Sequence, residues 1–242
     1  MSDLQLYLCE FFGTAMLVGM GLSVVASISL RKSGFHGSGG LMAALGWGSA
    51  MTAVAVIVGP FSGAHVNPAF TLGFWMTGNI EGRLVPGYLV AQLLGASFGA
   101  LIMWFLFKDH LDQEGDAGAI LGAFATGPSI RNPIRNVASE LVATYCLMIL
   151  VLSLGHSQPA GGVQFIYVWV ALSGGVMAFA GLTGYAINPA RDLMPRLLHM
   201  VLPIKGKGSS DWSYAWVPIV GPFLGAALAA LTHIALFAPL VG

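Results

Sequence analysis

The chain has 242 residues, 56% of them hydrophobic and only 8% charged, with ten Lys plus Arg balanced by ten Asp plus Glu. Soluble globular domains carry about 25% charged residues, so water is not the main solvent of this protein. The balance excludes a disordered chain and a nucleic-acid binder with a basic face, and two cysteines are too few for a disulfide-stapled secreted domain.

A bilayer core about 30 Å thick takes roughly 20 apolar residues per helix, so this length accommodates six or seven spans. Residues 4–30 form the first, with Glu10 its single charge, and are far longer than the apolar region of a signal peptide. Arg31 and Lys32 close it. A Gly-rich turn at 34–40 leads to a second span at 41–58, and an apolar stretch interrupted by Pro60, Gly63 and Pro68 follows. The third span is 85–107, and the polar stretch 108–135 is read as a loop. Spans at 134–154 and 163–180 flank a short turn at 155–162, and a second interrupted segment covers 181–199. A loop with Lys205, Lys207 and Asp211 precedes the sixth span at 214–237. Cys9 and Cys146 lie within apolar stretches without CxxC spacing and are expected to be free thiols.

The same pattern is stated twice, with a first repeat at about 4–107, a second at about 134–238 and a polar linker at 108–133, in one domain of 1–242. Glu10-Phe-Phe-Gly-Thr14 and Glu140-Leu-Val-Ala-Thr144 open the halves 130 residues apart. At the same offset Ala91, Gly95 and Gly99 match Gly221, Gly225 and Ala229, small residues four apart on one helix face that let helices cross closely. Three spans per half is an odd number, so the halves enter the membrane from opposite sides. The fold class is an all-α membrane protein, six spans plus two re-entrant half-helices in an inverted 3+3 repeat.

The interrupted segments read Ser62-Gly-Ala-His-Val-Asn67-Pro68-Ala69-Phe70 and Thr183-Gly-Tyr-Ala-Ile-Asn188-Pro189-Ala190-Arg191-Asp192. Asn is a preferred N-cap and Pro suits the first helical position, so each marks a helix start near the midplane. Two such starts direct both dipole ends and both amides at one region. The irregular backbone before each cap, Gly63, Ala64, His65 and Val66 in one half and Gly184, Tyr185, Ala186 and Ile187 in the other, cannot face lipid. It is expected to line a cavity with its carbonyls.

Both Asn-Pro-Ala boxes, the two glutamates and Arg191 resemble those of the aquaporin and glycerol facilitator family along essentially the whole chain. Asp192 after Arg191, the basic Arg196 four residues on, and Val217-Pro218-Ile219 are similar to the glycerol-conducting branch. The resemblance implies a passive channel for glycerol, similar polyols and water that excludes ions and protons, and a homotetramer with one pore per subunit. It implies a selectivity filter of Trp47, Val176, Tyr185 and Arg191, with Tyr185 where glycerol facilitators have Phe and Val176 where they have Gly. Glu10 and Glu140 are implied to accept hydrogen bonds from the re-entrant loops, and Asp192 to support them.

Val176 narrows the filter and the Tyr185 hydroxyl adds a polar handle, so undissociated lactic acid or another small neutral acid is a rival solute. A water-selective channel, a coupled transporter and a junctional role are the remaining alternatives. No catalytic group, cofactor, metal site or nucleic-acid partner is expected; His36, His110, His156, His199 and His233 are scattered. His65 is read as packing and carbonyl, with gating by protonation as the alternative. The expected home is a bacterial inner (plasma) membrane, multi-pass and in contact with lipid. The family's cytoplasmic termini would place Arg31, Lys32, Lys108, Arg131, Lys205 and Lys207 outside, against the positive-inside tendency.

Overall fold

The computed structural model describes residues 1–157 and 161–240, with the side chains of 155–157 outside that description. The turn expected at 155–162 and the His156 side chain therefore fall largely outside the described residues. Among them the chain is helical throughout: α1 (Asp3–Ser29), α2 (Gly39–Ser62), α3 (Pro68–Met76), α4 (Val85–Leu106), α5 (Lys108–Asp112), α6 (Ala117–Gly122), α7 (Pro133–Ser157), α8 (Val163–Thr183), α9 (Pro189–Val201) and α10 (Val217–Thr232). Six helices are long and apolar enough to cross a membrane, and α3 and α9 are the two short ones that begin at the Asn-Pro pairs.

Three boundaries differ from the sequence reading. Pro60 does not end the second span: α2 runs through it to Ser62 and stops at Gly63, whose φ of 83° supplies the left-handed cap. Likewise α8 runs past residue 180 to Thr183 and ends at Gly184, with φ 86°. The sixth span starts at Val217 and passes into a π-helical turn at His233–Phe237. Within the stretch read as a loop, α5 and α6 form two short helices. Asp116 caps α6 through its carboxylate.

The bundle is organised by close backbone crossings. A Cβ on Gly95 would lie 2.4 Å from the Phe11 carbonyl oxygen and 3.0 Å from Thr14 Cβ; on Gly225 it would lie 2.3 Å from the Leu141 oxygen and 2.9 Å from Thr144 Cβ. The four partners stand 130 residues apart in pairs, so α1 meets α4 and α7 meets α10 through equivalent contacts. The half-helices cross between halves, α3 packing on α10 and α9 on α4. Most outward-facing side chains are large apolar ones, Leu94, Phe98, Leu224 and Leu228 among them, which fits a lipid surround.

Charges collect at the helix ends. On one end Arg31 pairs with Glu114, Lys108 with Asp112 and Arg131 with Asp211, and Lys32 donates to Gln113; elsewhere Arg83 pairs with Asp3 and Glu81. Burial acts to raise the Glu114 pKa, but the amides of Arg31 and Asp116 and the Arg31 guanidinium outweigh it and hold the carboxyl below its ordinary range. A depressed carboxyl stabilises the fold above its unfolded pKa and loses that contribution as pH falls, so this clamp loosens only in acid.

Because backbone oxygens cannot rotate away as a side chain can, Gly95→Ala and Gly225→Ala are each expected to destabilise the detergent-solubilised protein by about 1–3 kcal/mol. Gly122→Ala, where an added Cβ meets nothing within 4 Å, is expected to leave it unchanged. Thermal unfolding of the three variants checks both.

Candidate transport pore

The two interrupted segments are built on buried carboxylates. Glu10 is fully buried, and its Oε1 accepts from Ser62 Oγ at 2.7 Å and the His65 amide at 3.0 Å. Its Oε2 accepts from the Val66 amide at 2.7 Å and Gln92 Nε2 at 2.8 Å. Glu140 accepts from the amides of Ala186 at 3.0 Å and Ile187 at 2.8 Å and from the Thr183 side chain. An unpaired carboxylate in this interior would cost far more than the helix contacts return, and these donors are what permit it.

The carboxylates also hold a strained backbone. Ala64, Val66, Tyr185 and Ile187 have φ of 50°, 42°, 53° and 47°, and β-branched residues such as Val66 and Ile187 almost never occupy that region. Each such residue costs on the order of 1–3 kcal/mol and persists only where its surroundings over-determine it. The alternation of hand around His65 and Ala186 turns two successive amides toward one side, making a nest for an anion that the glutamate fills. All eight residues of the two loops line one cavity of about 870 Å³.

The half-helices meet cap to cap. Asn67 Oδ1 accepts from the Ala69 amide at 2.9 Å, and Asn188 Oδ1 from Ala190 at 3.0 Å and Arg191 at 3.3 Å. Across the junction Asn67 Nδ2 donates to the Ile187 carbonyl at 2.9 Å, and Asn188 Nδ2 to the Val66 carbonyl at 2.8 Å. Each cap thus ties its own helix to the opposite loop, and each amide keeps a second hydrogen for an oxygen in the cavity. One lone pair of the Val66 and Ile187 carbonyls is engaged in the cross-link, a pairing that the sequence spacing did not anticipate.

Trp47, Val176, Tyr185, Arg191 and both asparagines line the same cavity; Pro68, Ala69, Pro189 and Ala190 are buried but do not line it, as are Glu10, Glu140 and Asp192. The Arg191 guanidinium sits 4.6 Å from the Trp47 ring centroid and donates to the Phe124 carbonyl at 3.3 Å. The ion pairs among the described residues do not include it. Tyr185 is stacked on Phe179 with ring centroids 6.3 Å apart.

Several partners of the supporting residues were missed from sequence, Thr126, Ser210, Thr71 and Gln92 among them. Asp192, the neighbour of Arg191, pairs with Arg196 at 2.8 Å, with both side chains fully buried. It also accepts from the Thr126 amide at 2.7 Å, and Arg196 donates to the carbonyls of Thr126 at 2.7 Å and Ser210 at 2.9 Å. This network draws the segment at Phe124 to Thr126 over α9 and sets the oxygen that holds Arg191. An i, i+4 Asp–Arg pair was a legible signal; the partners 66 or more residues away were not. In the other half Thr71 Oγ1 donates to the Asn67 carbonyl at 3.1 Å and accepts from Gln92. That leaves Nδ1 of His65, 3.2 Å from Thr71, as the donor, with its ring stacked on Phe74.

Six spans around a cavity where two half-helices meet through their caps define a membrane channel. Residues 1–233 match the major intrinsic protein family, and the chain belongs to that family. It is 51% identical over 193 residues to an uncharacterized aquaporin-like protein of Haemophilus influenzae, covering 80% of this chain and 91% of that one. It is 42% identical over 234 residues to a probable glycerol uptake facilitator protein of Thermotoga maritima, covering 97% and 100%. The aquaglyceroporin of Plasmodium falciparum superposes with a TM-score of 0.86 at 28% identity, covering 99% of both chains. The chain is therefore a multi-pass cell-membrane protein and a channel, not an enzyme.

Removing Arg196 alone strands a buried carboxylate, so Arg196→Leu is expected to destabilise the protein by about 3–5 kcal/mol. Asp192→Asn in the same chain should recover a large part of that loss. Thermal unfolding of the two single variants and the double variant gives the coupling directly.

Proposed function

We propose that this chain passes small uncharged solutes down their gradients, glycerol among them, and excludes ions and protons. The observation that carries the reading is the pairing of a donor line with an apolar wall in one cavity: the asparagine amides and Arg191 on one hand, Trp47, Val176 and Tyr185 on the other. A polyol fits both, since its hydroxyls accept from the donors while its carbon edge lies on the rings. The relatives named as glycerol uptake facilitators in Thermotoga maritima and Streptococcus pneumoniae support the same solute class. Trp47, Val176, Tyr185 and Arg191 act as the selectivity filter, and the loop carbonyls at Gly63 to Val66 and Gly184 to Ile187 as the acceptors along the path. The protein works as a homotetramer with one pore in each copy, a reading that rests on the family likeness.

Ion exclusion follows from charge. A carboxylate or metal cation entering this cavity loses hydration that neutral donors replace poorly. Cations also meet Arg191 and the positive ends of α3 and α9. The two asparagine amides hold one passing water oxygen as an acceptor, which interrupts a proton wire.

A compact neutral acid with a methyl group is the second reading, favoured by the Val176 methyls, which line the same cavity as Arg191. Stopped-flow light scattering on proteoliposomes given glycerol, dihydroxyacetone, urea and lactic acid at low pH separates the two. Glycerol conduction by the wild type is expected, and Val176→Gly should raise it about tenfold relative to lactic acid, in the range of one or two methylenes in a tight apolar site. Conduction of water alone would overturn the solute assignment. Asn67→Asp and Asn188→Asp place a negative charge at the junction and are expected to admit cations, read as a membrane current or a proton leak in the same liposomes.

A further inference from the structure

Two aromatic rings in the cavity wall are seated on glycines, and the seats are closer than ordinary packing allows. A Cβ on Gly175 of α8 would lie 2.0 Å from the Tyr185 hydroxyl oxygen and 2.6 Å from its Cζ. A Cβ on Gly21 of α1 would lie 2.2 Å from Cζ3 and 2.3 Å from Cη2 of Trp47. Non-bonded heavy atoms settle at about 3.5–4.0 Å, so neither ring keeps its place once its glycine carries a side chain. Gly174, the preceding residue in the same helix, is the contrast: a Cβ there meets nothing within 4 Å.

The direction of any displacement is set by what lies on the far side of each ring. Phe179 stands four residues after Gly175, on the same face of α8, and stacks on the Tyr185 ring at an interplanar angle of 9°. The ring therefore lies along α8 with its tip in the Gly175 notch, and leaving the helix carries it into the cavity that it lines. Trp47 meets Gly21 through Cζ3 and Cη2 and has the Arg191 guanidinium 4.6 Å from its ring centroid, so a push from α1 moves the ring within the part of the cavity wall that it shares with Arg191.

We infer that Gly21 and Gly175 are positioning residues for the constriction: two notches, behind the layer that touches solute, that fix the bore by how far they let Trp47 and Tyr185 withdraw. The Gly175 notch also answers Val176. The valine fills the wall at one position, and the missing side chain at the preceding one takes the tip of the tyrosine out of the path. Solutes of polyol width depend on both withdrawals, whereas a single file of water depends on them less. The inference rests on the filter reading of Trp47, Tyr185 and Arg191.

The test uses the full chain reconstituted in liposomes, with water and glycerol permeabilities measured side by side. Gly175→Ala and Gly21→Ala are each expected to lower glycerol permeability by at least about tenfold, the scale of one added methyl in a tight site, and to lower the glycerol-to-water ratio with it. Gly174→Ala, the same change one residue away, should behave as wild type. Gly175→Ala combined with Tyr185→Leu, whose shorter side chain does not reach residue 175, should recover most of the lost glycerol permeability. An unchanged ratio in Gly175→Ala, equal closure in Gly174→Ala, or no recovery in the Leu double variant would each overturn the inference. If the wild type passes water but no glycerol, the polyol reading fails while the notches are still judged, on closure to water by Gly175→Ala and its reversal by Tyr185→Leu.

Discussion

The structure depends on two buried carboxylates that cannot stay in an apolar interior unless something donates to them. Glu10 and Glu140 meet that requirement with the amides of residues 65 and 66 and of 186 and 187. In doing so they hold left-handed valine and isoleucine, conformations that an unsupported loop would leave. The course of both loops follows from that hold. The amides face inward to the glutamates, and the loops arrive at Asn67 and Asn188 in fixed directions, so two short helices point their caps at one another.

The two halves share this scaffold and diverge in what surrounds it. Gln92, which bridges Glu10 and Thr71, corresponds at the 130-residue offset to Pro222, and Thr71, four residues after Asn67, corresponds to Asp192, four after Asn188. One half is thereby braced with neutral hydrogen bonds and the other with a buried Asp192–Arg196 pair. A buried pair of this kind adds little net stability over an apolar substitute, but its geometry is specific. Here it draws the carbonyl of Phe124 to Arg191. The charged side chain among the described residues lining the cavity, Arg191, is therefore contributed by the second half.

Close approach is the second theme, and it works at two scales. Gly95 and Gly225 let whole helices cross on backbone, which sets the bundle; Gly21 and Gly175 let single rings recede, which bears on the bore. The same residue type thus serves the fold in one place and the passage in another. What separates the roles is whether the atom facing the glycine is a carbonyl oxygen or the tip of an aromatic ring.

Much of this was legible in the chain alone. Scarce charge, six apolar runs and the doubled Asn-Pro-Ala segments determine spans, half-helices and a shared midplane site, because burial in lipid leaves so few ways to satisfy a backbone. The ends of α2 and α8 were less legible, since Pro60 and Gly181 read as breaks although a glycine three residues on, Gly63 or Gly184, makes the actual stop. Which carbonyl each asparagine would take, that Arg196 rather than Arg191 would claim Asp192, and that Tyr185 would rest on Gly175 were decided only by the tertiary structure. Those are contacts between residues far apart in sequence, and their geometry comes from how the helices cross, which local composition does not encode.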